Sequence, residues 1–244
     1  MPFSDDVRAR LEADAAVIIG QYPQSRSALL PLLHLVQSEE GYVSGDGIEF
    51  CARQLGLTEA DVTGVVSFYT MYKRRPVGQY HVGVCTNTVC GVLGGYQILA
   101  ELREHLGVGD DETTPDGRVS LEHLECNAAC VYAPVMMVNW EFFDNMTPAT
   151  ARQLADDLRA GNPVTPTRGP ERLVTWREAA RILAGFNDDL ATEGPAAGPA
   201  DLVGLNLAKE HGWTAPEPGA AGNHGAGNHG AGNHGANDHA KEPR

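Results

Sequence analysis

Five cysteines occur in the 244-residue sequence, and four of them form two pairs, Cys85-x4-Cys90 and Cys126-x3-Cys130, with 35 residues between the pairs. Each pair follows a strand-like segment, ending at Val84 in one case and at Leu124-Glu125 in the other. In a small α/β sandwich the ends of neighbouring strands lie side by side, so the two loops can converge. Four thiolates at one edge repel one another unless a metal centre neutralises them. Structural zinc sites usually place two residues between their cysteines, a tight knuckle around one small ion. Intervals of four and three suit a bulkier two-iron cluster, in which each pair holds one iron and bridging sulfides occupy the space between. On spacing alone, zinc and disulfide or unligated thiols stay open beside it. Thr86, Asn87, Thr88, Asn127, Ala128 and Ala129 in the loops are small or polar. Gly91, Gly94 and Gly95 let backbone approach the sulfurs at a helix start, where N–H groups and the dipole stabilise negative charge. Cys51 has no partner in sequence and is expected to be an inert buried thiol.

The cysteine loops need a sheet to carry them. Tyr80 to Val84 is a short β-branched segment that leads into the first pair. From Gly91 to His105 the spacing is helical, with Leu93, Tyr96, Ile98, Leu99, Leu102 and Leu106 available to face a sheet. Val119 to Leu124 reads as a strand and Val135 to Val138 as a buried one. Thr147-Pro148 caps and opens a final helix through Leu154 and Leu158, and Gly161 with Pro163 ends it. Strand, helix, strand, strand, helix makes an α/β sandwich.

Before this region the chain reads as a small helical bundle. Leu29, Leu30, Leu32, Leu33, Leu35 and Val36 follow the candidate caps Ser25 and Ser27. Ser44 to Leu55 is a short helix, and Thr58-Glu59-Ala60-Asp61 starts another with a capping box and an acidic first turn. After Gly161 regularity falls away. Leu173 to Phe186 can form one helix carrying Trp176; the rest is expected to be loose. From Gly219 the motif Gly-Asn-His-Gly-Ala recurs at Gly222, Gly227 and Gly232. That stretch cannot bury enough apolar surface to offset its ordering entropy, so a disordered solubilising tail is expected. The expected division is a helical bundle over 1–75, the α/β domain over 76–162, an extension over 163–218 and the tail over 219–244.

Composition narrows the function class. Hydrophobic residues make up 42% and charged residues 20%, an ordinary globular balance. With 18 Lys+Arg against 32 Asp+Glu the net charge is −14, which argues against a nucleic-acid or anionic-membrane binder. The mid-chain apolar run Ala133 to Val138 has six residues, far short of a bilayer span of roughly 20. Met1-Pro2-Phe3-Ser4-Asp5-Asp6 has neither the basic region nor the apolar stretch of a signal peptide, so a soluble intracellular protein is expected.

The residues around the cysteines carry a resemblance. Ser67-Phe68-Tyr69-Thr70-Met71-Tyr72, Pro76-Val77-Gly78-Gln79-Tyr80, and Val84-Cys85-Thr86-Asn87-Thr88-Val89-Cys90 are similar to the family of small [2Fe–2S] subunits of bacterial NADH:quinone oxidoreductase, respiratory complex I. Glu125-Cys126-Asn127-Ala128-Ala129-Cys130, Ala133-Pro134-Val135 and Leu158-Arg159-Ala160-Gly161 continue the match, which covers roughly residues 5 to 162. The resemblance implies an N-terminal helical bundle followed by a thioredoxin-like ferredoxin domain. It implies one [2Fe–2S] cluster on Cys85, Cys90, Cys126 and Cys130. It also implies a partner flavoprotein that holds FMN and oxidises NADH, other hydrophilic-arm subunits, and a peripheral place on the cytoplasmic side of the cell membrane. The cluster then takes one electron at a time beside the flavin, with no complete active site on this chain. The equivalent subunit of an NAD-linked hydrogenase or formate dehydrogenase is the alternative, and a zinc-stabilised interaction domain the non-redox one. The family does not supply a role for the extension and the tail.

Other motifs are read as structural. Lys73-Arg74-Arg75 is too small a basic cluster to bind nucleic acid and is expected to be a solvated turn or a subunit contact. Gly91-Val92-Leu93-Gly94-Gly95 lacks the Gly-Lys-Ser/Thr ending of a phosphate loop, so neither NADH nor flavin is expected on this chain. His81, His105 and His123 are expected to be surface or satisfied core residues. A thioredoxin-type oxidoreductase needs a Cys-x-x-Cys at a helix start, which is missing. Pro134 is either cis and facing the redox site, as the thioredoxin-like fold implies, or a trans proline that starts a strand; cis is favoured.

Overall fold

The computed structural model describes residues 3–190, 193–195 and 197–215. Ser4 caps α1 (Asp5–Ile19) by accepting from the Val7 amide, and Asp5 and Asp6 face the positive end of the helix dipole. A 3-10 turn, Ser25–Ala28, leads into α2 (Leu29–Glu40). Ser25 and Ser27 therefore lie inside that turn and are not caps; Ala28 holds the cap position and makes no side-chain cap bond. Ser44 caps α3 (Gly45–Leu55), and Thr58 and Asp61 form the expected capping box at the head of α4 (Glu59–Phe68). Leu11, Leu32, Leu33, Leu35, Phe50 and Val62 join in one buried core. Cys51 is fully buried in it, and burial pushes its thiol up to about 12.

The α/β region follows. Its elements are β1 (Tyr80–Cys85), a single helical turn α5 (Thr88–Cys90), α6 (Tyr96–Leu106), β2 (Glu112–Thr113), β3 (Val119–Leu124), β4 (Met136–Val138), β5 (Glu141–Phe143) and α7 (Pro148–Ala160). The sheet order is β2-β3-β1-β4-β5, with β1 and β3 parallel and the other pairs antiparallel. Ile98 and Leu102 of α6 and Leu154 and Leu158 of α7 close a second core on Val84 and Leu121. Three expectations are corrected here. The helix does not run unbroken from Gly91: residues Gly91–Gly95 form a π-helical stretch with Gly94 at φ 119°, and the regular helix begins at Tyr96. Val135 lies before the strand, although its carbonyl still accepts the Cys85 amide at 3.1 Å. Two strands, β2 and β5, were not expected, because two or three residues are too few to show a period.

The segment after α7 returns to the bundle. Thr175 and Glu178 form a capping box on α8 (Trp176–Leu183), which is shorter than the expected Leu173–Phe186 because that cap starts it and Gly185, at φ 104°, follows it. The Trp176 indole donates to the Gly41 carbonyl at 2.7 Å, and Arg181 pairs with Asp14 at 2.8 Å. Among the described residues, those up to Asp201 form one compact unit and those from Leu202 a second. The second contains α9 (Val203–Glu210), which corrects the expectation of loose chain there. Val203, Leu205 and Leu207 are exposed on it, so no buried face marks it in the sequence. The tail expected over 219–244 lies outside the described residues. No described helix is long and apolar enough to cross a membrane.

Candidate metal centre

Cys85 is the last residue of β1 and stands opposite Leu124, the last residue of the parallel strand β3. Cys126 follows two residues later, so the parallel register delivers both loops to one end of the sheet. Asn87 accepts the Thr88 amide at 2.8 Å and caps the turn that ends at Cys90. Its side-chain amide donates to Glu125 at 3.2 Å and ties the first loop to the second. Gly91 donates its N–H to the Asn87 carbonyl at 2.8 Å, closing that turn. Gly95 is needed for close approach: a Cβ there would lie 2.4 Å from the Cys85 carbonyl oxygen and 2.9 Å from that of Cys90.

The two pairs differ in exposure. Cys85 and Cys90 are 2% and 3% exposed, whereas Cys126 and Cys130 are open to solvent with their sulfurs 3.9 Å apart. Burial pushes the Cys90 thiol up to about 11, with the Cys85 thiol beside it and Cys130 adding to the rise. Cys130 is raised by its bond to Cys126, then by the Cys126 and Cys85 charges, so each pair feels the other. The Ala128 amide donates to Cys126 Sγ at 3.3 Å, with Ala128 in the left-handed region at φ 56°.

These residues fit a [2Fe–2S] centre. Among the described residues no three His, Cys, Asp or Glu side chains gather around one ion position. A two-iron centre asks for two thiolates per iron with sulfides between, and the structure offers two pairs whose loops leave the same end of the sheet. Asn127 Nδ2, between the second pair, is buried with no hydrogen-bond partner, a donor that a sulfide or thiolate would satisfy. The loops are rimmed by exposed apolar side chains: Val89, Val92, Leu93, Tyr96 and Val131.

The family model described as thioredoxin-like [2Fe–2S] ferredoxin matches residues 15–159. The chain belongs to the thioredoxin-like [2Fe–2S] ferredoxin family. Within it, the chain is 59% identical over 220 residues to an NADH-quinone oxidoreductase subunit of Mycobacterium bovis, covering 89% of this chain and 87% of that relative. It is 41% identical over 164 residues to a second NADH-quinone oxidoreductase subunit, from Thermus thermophilus, covering 66% and 88%. Among solved structures, an NAD+-reducing [NiFe]-hydrogenase in the air-oxidised state matches with a TM-score of 0.50 and 18% identity, over 55% of this chain and 23% of that one. That likeness is one of fold. The Ala133–Pro134 bond of this ferredoxin is cis, the form the family resemblance favoured.

Sequence reasoning brought the four cysteines together but missed what stands behind them. Tyr132 and Phe142 pack against the cysteine edge, and Arg168 of the extension stacks on both rings. No motif marked Arg168, since its partners lie 24 and more residues away and become neighbours only in the fold. His81 is a satisfied core residue as expected: it is buried between Trp140 and Trp176 with Nε2 2.5 Å from Glu122, and burial pushes its pKa down. His105 pairs with Asp156 at 2.6 Å, and His123 is exposed. Lys73 is not a solvated turn residue, because it pairs with Glu122 at 2.5 Å beside a cavity of about 320 Å³, while Arg74 and Arg75 are exposed.

Proposed function

We propose that this chain is the electron-transfer [2Fe–2S] subunit of an NADH:quinone oxidoreductase, and that Cys85, Cys90, Cys126 and Cys130 are the ligands of its cluster. The convergence of both cysteine pairs at one end of the sheet carries this reading. The identity of 59% with an NADH-quinone oxidoreductase subunit supports the parent complex. A [2Fe–2S] centre exchanges electrons singly, whereas NADH gives up two together as hydride. The chain's own residues have three tasks. Cys85 and Cys90 anchor the buried side of the centre, Cys126 and Cys130 close it from the solvent side, and Asn87, bonded to Glu125, holds the loops in register. Buried walls and N–H donors such as those of Ala128 and Asn127 tune its potential.

The partner in this reading is a flavoprotein subunit that binds FMN and NADH, with further hydrophilic-arm subunits beyond it. The exposed rim of Val89, Val92, Leu93, Tyr96 and Val131 suits such a contact, since apolar side chains around a redox edge exclude water when covered. We place the assembly on the cytoplasmic side of the cell membrane, with this chain peripheral and no complete active site on it. The proposed division is a bundle over 1–75, the ferredoxin domain over 76–162, an extension over 163–218 and the tail over 219–244. Purification of the native assembly through a tag on this chain is the test. Co-purifying FMN-containing and quinone-reducing subunits support the reading, and co-purifying hydrogenase or formate dehydrogenase subunits replace it with the alternative. An isolated chain holding stoichiometric FMN overturns the division of labour.

A further inference from the structure

The extension beyond the matched residues 15–159 reaches back to the cysteine edge. Arg168 is only 14% exposed on its side chain, and its Nε and Nη2 lie 2.8 and 3.2 Å from the two oxygens of Asp144, itself 5% exposed. The same guanidinium sits 4.0 Å from the Phe142 ring centre and 5.2 Å from that of Tyr132. Both rings pack against the cluster of Cys85, Cys90, Ala129 and Val135, and Tyr132 ends the 3-10 turn that begins at Cys130. Thr167 fixes the approach: its amide donates to the Phe142 carbonyl at 2.9 Å, and its hydroxyl accepts the Asp144 amide at 3.0 Å. The extension also meets Tyr132 at its phenol end, so close that a Cβ at Gly198 would lie 2.2 Å from the phenol oxygen. A run of contacts thus joins the extension, through Arg168 and two rings, to the buried residues around Cys85 and Cys90 and, through Tyr132, to the turn that begins at Cys130.

We propose that Arg168 is a positioning residue for the second cysteine pair, and that it cancels the Asp144 charge beside the cluster. This rests on the ligand assignment given under Proposed function. The planar guanidinium can stack on two rings and hold a carboxylate at both oxygens at once, a combination that lysine cannot reproduce. Its stacking holds the Cys130–Tyr132 turn against the core, so Cys130 stays in reach of its partner sulfurs. Its charge matters separately. A buried carboxylate without its cation leaves a negative field that opposes arrival of an electron.

The experiment uses the full-length, cluster-loaded chain with Arg168→Lys, Arg168→Gln and the double variant Arg168→Gln/Asp144→Asn. Three quantities are read: iron and sulfide content, bleaching of visible absorbance under a chelator, and the midpoint potential of the paramagnetic reduced centre. With Arg168→Lys the potential should stay near wild type while bleaching speeds up on the order of tenfold, because the charge is kept but the planar stack on two rings and the grip on both carboxylate oxygens are lost. Arg168→Gln should bleach as fast and also show a lower potential. The double variant should recover the potential but not the slow bleaching. Wild-type bleaching in Arg168→Lys overturns the positioning role, and this variant decides alone should Arg168→Gln not fold. An unchanged potential in a folded Arg168→Gln overturns the charge role. A wild-type chain without iron and sulfide removes the ligand assignment and this proposal with it; a loaded wild type with indifferent variants removes this proposal alone.

Discussion

The two cysteine pairs solve the same problem in opposite ways. Cys85 and Cys90 are held by regular structure: one ends a central strand, the other ends a capped helical turn, and both are 3% exposed or less. Cys126 and Cys130 sit in a solvent-exposed loop whose shape depends on a left-handed Ala128, a short 3-10 turn and side chains borrowed from the extension. In the proposed reading, a centre that must stay assembled and also lie close to a partner uses this asymmetry. The buried pair would supply permanence, and the exposed pair access. Strand geometry fixes the first before any metal arrives, while the second gains its order from loop and buttress contacts.

The harshest way to break the comparison is to remove a ligand from either side. Cys90→Ala and Cys126→Ala are each expected to reduce iron and sulfide content to near zero, since three thiolates cannot complete two irons. Cys51→Ala should leave both unchanged, because Cys51 lies in the other core with its thiol pushed up to about 12 by burial. Full iron and sulfide in Cys126→Ala would reject the exposed pair as ligands. A second measurement ranks the sites without mutation. In the metal-free chain treated with iodoacetamide at pH 8, Cys126 should be modified on the order of tenfold faster than Cys90, whose burial keeps it as a thiol. Peptide mass spectrometry giving equal rates would mean that the first pair is not preformed.

Gly95 probes the buried side alone. Its missing side chain lets the π-helical stretch pass the carbonyls of Cys85 and Cys90, and neither backbone oxygen can move away without moving its cysteine. Gly95→Ala is therefore expected to cost about 1–3 kcal/mol of stability, as overpacking of a fixed site does. Because the clash falls on the backbone of Cys85 and Cys90, the proposed ligands, cluster yield on reconstitution should fall as well. Thermal unfolding and iron content measured together check this. An unchanged melting temperature would show that the turn has slack that the structure does not display.

Legibility in the sequence follows the same asymmetry. The strand before Cys85, the strand before Cys126 and the helix opened by Thr147-Pro148 were readable because their patterns are local and several residues long. The cysteine spacing pointed toward two irons, and the flanking residues carried the family. The break at Gly94 was hidden inside a run of apolar residues with good helical spacing, since no period records a positive φ. Ser25 and Ser27 looked like caps, but the preceding 3-10 turn moved the start of the helix to Leu29. The Arg168 stack and the Trp176 indole bond to Gly41 escaped for a different reason: they join residues far apart in sequence. Long-range side-chain contacts leave no trace in local pattern.

The smallest expected effect sharpens the exposed side. Ala128 adopts φ 56°, a conformation that costs an L-residue with a Cβ roughly 1–2 kcal/mol. In return, its amide donates to Cys126 Sγ, 3.3 Å away. Ala128→Gly removes the steric cost but gives the unfolded chain more freedom, which takes back about 0.4–1 kcal/mol. The net gain should be small, about 0.5 kcal/mol, with the cluster bleaching at its wild-type rate because the amide and its direction are kept. Ala128→Val has the opposite sign: a β-branched residue strongly disfavours this region, so the loop must open and turn the amide away from the sulfur. Bleaching under a chelator should then accelerate while the melting temperature of the metal-free chain hardly changes, since the loop is exposed and adds little to either core. Faster bleaching in Ala128→Gly would show instead that the methyl group, and not the backbone turn, shields the exposed pair.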